Sequence, residues 1–436
     1  MENQSITYSE GLVRFIDRSP VNYYAIRNAQ DMLLSQGFTE LSERERWNAE
    51  YGGRYFIQRN DSALIAFVIP EHFRGMNITA SHCDSPCLRI KENPEIDREG
   101  RYTVLNIEKY GGMLMAPWFD RPLSVAGRIF AEKDGRLVRN LVDFGCDMLI
   151  IPSLAIHMDR QANEGRKINP QEEMLPLYAL KSGDCESSDS SRSKGGIIRQ
   201  AAELAGCAES DVLGADLFVY NRQKGTIWGN NGEFLSAPRL DDLQCVYTSL
   251  KGFLEAESHA RLSVLAVFDN EEVGSSTRQG AASTFLSDSL QRLYRALGRD
   301  EEVYHIDLEE GLMLSMDNAH AVHPNYLGKA DPVNRPVIGG GVVLKFAGNQ
   351  KYCTDGYSAA LFRQVCRKAG CREQCFTNRA DMPGGSTLGN ISGNQVPIAT
   401  ADIGIAQLAM HSPFETSGTA DTEDMVKIVR TFYEER

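Results

Sequence analysis

The sequence predicts an α/β sandwich with a largely buried sheet, interrupted by a β-rich block. Helix-like and strand-like stretches alternate near the N-terminus, the same rhythm resumes from about Leu240 to the C-terminus, and the texture between them differs. The first helix buries Leu12, Val13, Phe15 and Ile16 on one face and breaks at Ser19-Pro20. A second apolar stripe runs through Ile26, Met32, Leu33 and Leu34, and Gly37 closes it. Residues 55–57 and 63–69 are strand-like, the latter ending at Pro70. Asp421 or Thr422 caps a final helix through Met425, Val429 and Phe432. Between them lie short β-rich runs separated by turns, and a polar Ser- and Asp-rich stretch at 182–196 reads as a surface loop. The chain thus divides into 1–93 with 237–436, and an inserted domain at 94–236.

Composition narrows the function. The 436 residues carry a formal charge of -13, with 59 acidic against 46 basic side chains, so nucleic acid and acidic membranes are poor expectations as partners. No apolar run approaches the ~20 residues of a spanning helix. The polar start lacks the pattern of a secretory signal. Ten cysteines are scattered, and the nearest trio, Cys366, Cys371 and Cys375, has no His at zinc-finger spacing. A cytoplasmic protein with reduced thiols is the expectation.

The chemistry sits where apolar stretches end. Residues 262–268 run into Asp269-Asn270-Glu271-Glu272-Val273-Gly274-Ser275, three acids within four positions. Open α/β sheets bind ligands beyond the carboxyl ends of their strands, and a cation relieves the repulsion of adjacent carboxylates. Alone, the Glu271-Glu272 pair is equally a solvated turn. The layout recurs, however. Residues 77–81 deliver His82 and Asp84, and 311–316 deliver Asp317, with His320 and His323 behind. Leu240 precedes Asp241-Asp242, and Ile403, Ile405, Leu408 and Met410 lead to His411. Imidazoles and carboxylates in this pattern are the ligand set of zinc or a similar divalent ion.

These motifs resemble those of the aspartyl aminopeptidase (aminopeptidase I) family of dinuclear zinc exopeptidases, in order and over nearly the whole chain. The matching segments include Ser81-His82-Cys83-Asp84-Ser85-Pro86, Trp118-Phe119-Asp120-Arg121-Pro122-Leu123, Arg239-Leu240-Asp241, Asp269 to Ser275, Asp317-Asn318-Ala319-His320 and Met410-His411-Ser412. The resemblance implies a zinc-exopeptidase-like α/β/α catalytic domain with an inserted dimerisation domain. It implies two divalent metal ions per subunit, zinc first, with manganese or cobalt as alternatives. His82, Asp241 and Asp317 would hold one ion, and Asp241, Glu272 and His411 the other. Glu271 would be the general base toward a metal-activated water, and Asp84 would fix the His82 imidazole from behind. For Glu272 and Glu271 to serve different partners the chain must bend there, and Gly274 allows it.

The same resemblance implies substrate contacts from His157, His320, Lys345 and Tyr352, with His157 reaching a neighbouring subunit. The Gly-Ser-Thr turn within 381–389 would line the substrate. His72, His259 and His305 match nothing and read as structural. The implied partners are a peptide substrate and other copies of the chain, as a homododecamer built from dimers, with Trp118 and Phe119 suited to an interface. Tyr24, Asp242, Asn390 and Phe414 stand where the family usually carries other residues, which leaves an acidic or a neutral N-terminal residue open as the preference. A related dinuclear carboxypeptidase or deacylase, or a non-catalytic scaffold, are the alternatives.

Overall fold

The computed structural model describes residues 4–181 and 196–435, so nearly all of the polar stretch at 182–196 lies outside the described residues. Two compact units are present: Met1–Asp84, Gly225–Met410 and Glu415–Arg436 form one, and Ser85–Lys224 with His411–Phe414 the other.

The first unit is built on a nine-stranded mixed sheet. Its strand order is Thr39–Glu40, Arg54–Arg59, Ala63–Val68, Leu262–Phe268, Met76–His82, Leu312–Met316, Thr400–Gly404, Val342–Phe346, Glu373–Thr377. Side chains alternate between two cores, as a strand's two-residue period requires. Leu64, Ala66 and Val68 join one, with Leu265 and Val267. Ala63, Ile65 and Phe67 join the other, with Val264, Ala266 and Phe268. Strands covered on both faces need apolar residues at every position, which is why these runs are continuous.

Helices Gln4–Asp17, Asn22–Ser35, Leu240–Glu255, Gly356–Ala369 and Thr419–Glu434 contribute to the first core, and Phe285–Ala296 and Glu301–Glu309 to the second. Leu240–Glu255 and Thr419–Glu434 approach closely: a Cβ on Gly252 would lie 2.6 Å from Val429, so glycine is needed there.

Two helical expectations need adjustment. Leu33 is buried but Leu34 is 47% exposed, because consecutive helical residues cannot share one face. The last helix begins at Thr419 rather than after Asp421. Asp421 accepts from the N–H groups of Gly339 and Gly341 instead of capping.

The second unit carries a six-stranded antiparallel sheet around a separate core that includes Leu88, Leu105, Val125 and Val219. Trp118 is 2% exposed in that core, so its burial comes from its own unit. Among the described residues no helix is long and apolar enough to cross a membrane.

Candidate metal centre

Parallel pairing sets the site. Met76–His82 runs parallel to both Leu262–Phe268 and Leu312–Met316, with Phe268 opposite His82 and Ser315 opposite Ala80. Three carboxyl ends therefore meet at one sheet edge, delivering His82, the Asp269–Glu272 acids and Asp317. Asp241 arrives differently from the strand-end layout read in the sequence. The preceding strand, Phe234–Ala237, belongs to a separate five-stranded sheet, and Asp241 starts helix Leu240–Glu255. Asp241 and Asp242 depart from helical angles there and are joined by a cis peptide bond.

His82, Asp241, Asp242 and Asp317 each offer one ligand atom, all within 4.8 Å of one another. His82, Glu271 and Glu272 form an overlapping group. Asp84 organises both. The His82 Nδ1 lies 3.1 Å from the Asp84 carbonyl oxygen and 3.4 Å from Oδ1, leaving Nε2 facing Asp241 Oδ1 at 3.4 Å. The two oxygens of the same Asp84 carboxylate accept the backbone N–H groups of Glu271 and Glu272, both at 3.1 Å. One buried residue thus orients the imidazole, chiefly through its carbonyl oxygen, and the acidic turn, through its carboxylate. The bend expected there is a 3-10 turn, Glu271–Val273, flanked by left-handed residues, Asn270 at φ 61° and Gly274 at φ 96°. Asn tolerates that conformation, and the Asn270 Oδ1 is secured by Thr277 and Gln279.

Burial makes this cluster costly without cations. Asp241, Asp242 and Asp317 are 3%, 0% and 9% exposed. Burial pushes the Glu271 carboxyl up to about 7, resisted by His82 and reinforced by Asp317, Asp84 and Asp241. Burial likewise raises Glu272, Asp242 and Asp317, and lifts Asp269 to about 7. Burial opposes the charged form of His82, yet its bonds to Asp241 and Asp84 hold its pKa well above the ordinary value. Oxygen donors in excess, one well-oriented imidazole and protons held where charge is needed are what divalent cations would displace. The residues fit such ions.

The sign of the pH effect follows. Carboxyls whose folded pKa is raised contribute stability below the unfolded value of about 4 and lose it as pH rises through the folded value. A raised histidine acts in the same sense. The chelated protein is therefore expected to melt at falling temperature as pH rises from about 5 to 8, and zinc should flatten that slope. Calorimetry showing a chelated protein that gains stability over this range would contradict it.

Lys345, Tyr352 and His320 also belong to this unit. Lys345 is 1% exposed, and its Nζ donates to the carbonyl oxygens of Asp317 at 2.7 Å and Asn318 at 3.3 Å, with Asp317 Oδ2 at 3.6 Å. Burial opposes its charge, but Asp317 more than restores it. The ammonium thus braces the Asp317 backbone. It also lies 5.2 Å from the Tyr352 ring centroid, and Tyr352 and His320 each meet Phe376 edge-on at 6.1 Å. His157 and His411 belong to the second unit. His157 is exposed in an irregular segment, and the His411 Nδ1 lies 2.6 Å from the Gly112 carbonyl oxygen.

Sequence reasoning passed over Asn318. Its amide donates to the Leu240 carbonyl at 3.1 Å, to Gln244 at 3.1 Å and to Gln407 at 2.8 Å, and its oxygen accepts the Ile405 N–H at 3.3 Å. It ties the residue after Asp317 to the residue before Asp241. Glu415, 1% exposed, accepts the Asp241 N–H at 3.0 Å.

Comparison with known proteins adds an independent line. The family described as aminopeptidase I zinc metalloprotease (M18) matches residues 15–433. An M18 family aminopeptidase 2 of Clostridium acetobutylicum is 42% identical over 438 residues, covering 99% of this chain and 100% of the relative. A chain of a cryo-EM structure of the Ape4 and Nbr1 complex is similar at TM-score 0.94 and 32% identity, covering 99% of this chain and 86% of that one. A chain of the S. cerevisiae mApe1 dodecamer is similar at TM-score 0.85 and 28% identity, with 98% and 96% covered.

Proposed function

This chain belongs to the aminopeptidase I zinc metalloprotease family and is a peptide hydrolase, a metal-dependent aminopeptidase; from that premise we propose how its residues divide the work. His82, Asp241, Asp317 and Glu272 are the residues that would hold the two cations, with Asp241 the carboxylate placed to serve both. His411 is kept as the remaining ligand on the family resemblance. Zinc, or manganese or cobalt as alternatives, would supply Lewis acidity there when bound.

The chain's own groups do the rest. Glu271 takes a proton from the attacking water and returns it to the leaving amine. Its carboxyl is suited to both directions, since burial raises its pKa to about 7 in the chain alone. Asp84 holds the Glu271-Glu272 turn in place by accepting the backbone N–H groups of both residues. His157, His320, Lys345 and Tyr352 are the proposed substrate contacts, with His157 serving a neighbouring subunit of a homododecamer like the yeast relative's. The division into 1–93 with 237–436 and an inserted dimerisation domain at 94–236 belongs to the same reading, as does a cytoplasmic location.

The observation that carries this reading is one buried residue, Asp84, meeting the imidazole of His82 through its carbonyl oxygen at 3.1 Å and holding the Glu271-Glu272 turn through its carboxylate. The experiment is hydrolysis of Asp-, Glu-, Leu- and Ala-linked fluorogenic amides by zinc-reconstituted protein, beside their N-acylated counterparts. Cleavage restricted to substrates with a free α-amino group is expected, and the amide ranking reports the side-chain preference. Equal cleavage of the N-acylated compounds would overturn the reading.

A further inference from the structure

Asp402 is a buried charge that the chemistry above does not use. It lies at the centre of strand Thr400–Gly404, 0% exposed, with Ser315 opposite it on one neighbouring strand and buried Lys345 on the other. A carboxylate there costs several kcal/mol unless its lone pairs are filled (roughly, by the desolvation of an ion). Among the described residues its partners are hydrogen-bond donors rather than an ion-pair cation, apart from the field it exerts on Lys345.

Those donors come from two separate segments. Oδ2 accepts the Cys353 N–H at 2.6 Å and the Cys353 thiol at 3.1 Å. Oδ1 accepts the Thr387 hydroxyl at 2.5 Å. The Asp402 N–H donates to Thr354 Oγ1 at 2.8 Å, so the first segment is held twice. The second segment is pressed onto the carboxylate as well, since a Cβ on Gly389 would lie 2.6 Å from Oδ1. The two segments meet above the strand, where a Cβ on Gly385 would lie 3.8 Å from the Tyr352 hydroxyl.

We infer that Asp402 is a positioning residue of the substrate pocket: by clamping Cys353 and Thr387 it fixes Tyr352 against the Gly384-Gly385-Ser386 turn and so sets the wall that meets the N-terminal residue of the peptide. It touches neither substrate nor metal ligand. Its influence runs through binding rather than through proton transfer, which distinguishes it from a residue that merely keeps the sheet folded. The inference rests on the proposed substrate role of Tyr352.

The test is steady-state kinetics of Asp402→Asn on the four fluorogenic amides, with zinc content measured on the same samples. Asn keeps the size but offers only one acceptor atom to the two segments. KM is expected to rise about tenfold while kcat stays within about threefold and zinc content is unchanged, because uniform binding is lost and chemistry is not. If this variant fails to fold, Thr387→Val releases one segment only and is expected to raise KM by about threefold with kcat retained. Wild-type KM values in the soluble variants, or losses of kcat that track the folded fraction, would overturn the inference. Wild-type protein that cleaves none of the amides would instead overturn the aminopeptidase reading.

Discussion

Glu271→Gln lowers kcat by about 10²- to 10⁴-fold and leaves zinc content unchanged: that is the expected result for a general base removed without disturbing its surroundings. The substitution preserves shape, and the contact that fixes the turn is the backbone N–H of Glu271 on Asp84, which glutamine retains. What disappears is a group able to accept a proton from water and release it to an amine. KM should move little, since Glu271 is assigned no part in holding the ground-state peptide. Stopped assays with a Leu- or Asp-linked amide, paired with elemental analysis, check both halves. A variant within tenfold of wild-type kcat would remove Glu271 from the mechanism.

Asp241→Asn is expected to act on the ions themselves. Partners that merely orient metal ligands cost about 10- to 100-fold in affinity when altered, so neutralising a carboxylate shared by two cations should cost at least about 100-fold. Asp241 is 3% exposed, sits within reach of His82 and Asp317, and is anchored through its own N–H by Glu415. Asparagine keeps the backbone bond and loses the charge. Chelator-competition titration with zinc measures the effect, and turnover at limiting zinc should fall in parallel. Unaltered affinity would show that Asp241 binds neither ion.

Parts of this arrangement are legible from the chain alone. Apolar stretches that stop at His82, at Asp269 and at Asp317 are strands whose ends face one edge once they pair in parallel, and the pairing of Met76–His82 with its two neighbours does this. Asp241 shares the local signature but reaches the cluster from a helix start, because the strand before it joins another sheet. Local pattern cannot distinguish those two routes. Asn318 and Asp402 left weaker traces. Each is a polar residue beside or within an apolar stretch, and only the tertiary contacts reveal that one amide ties Leu240 to Ile405 or that one carboxylate joins Cys353 to Thr387. Lys345 reads as a solvated lysine by composition, and its enclosure against the Asp317 and Asn318 carbonyls depends on strand Val342–Phe346 lying beside Thr400–Gly404.

Glu271 and Glu272 adjoin each other and burial raises both carboxyls, so the pair must hold either a proton or a cation between its acids. Anomalous scattering at the zinc edge from crystals grown with zinc tests this most directly. Two peaks about 3.5 Å apart, one among His82, Asp241 and Asp317 and one at Asp241 and Glu272, are the expected result. A single peak elsewhere, or none in zinc-saturated crystals, would contradict the account.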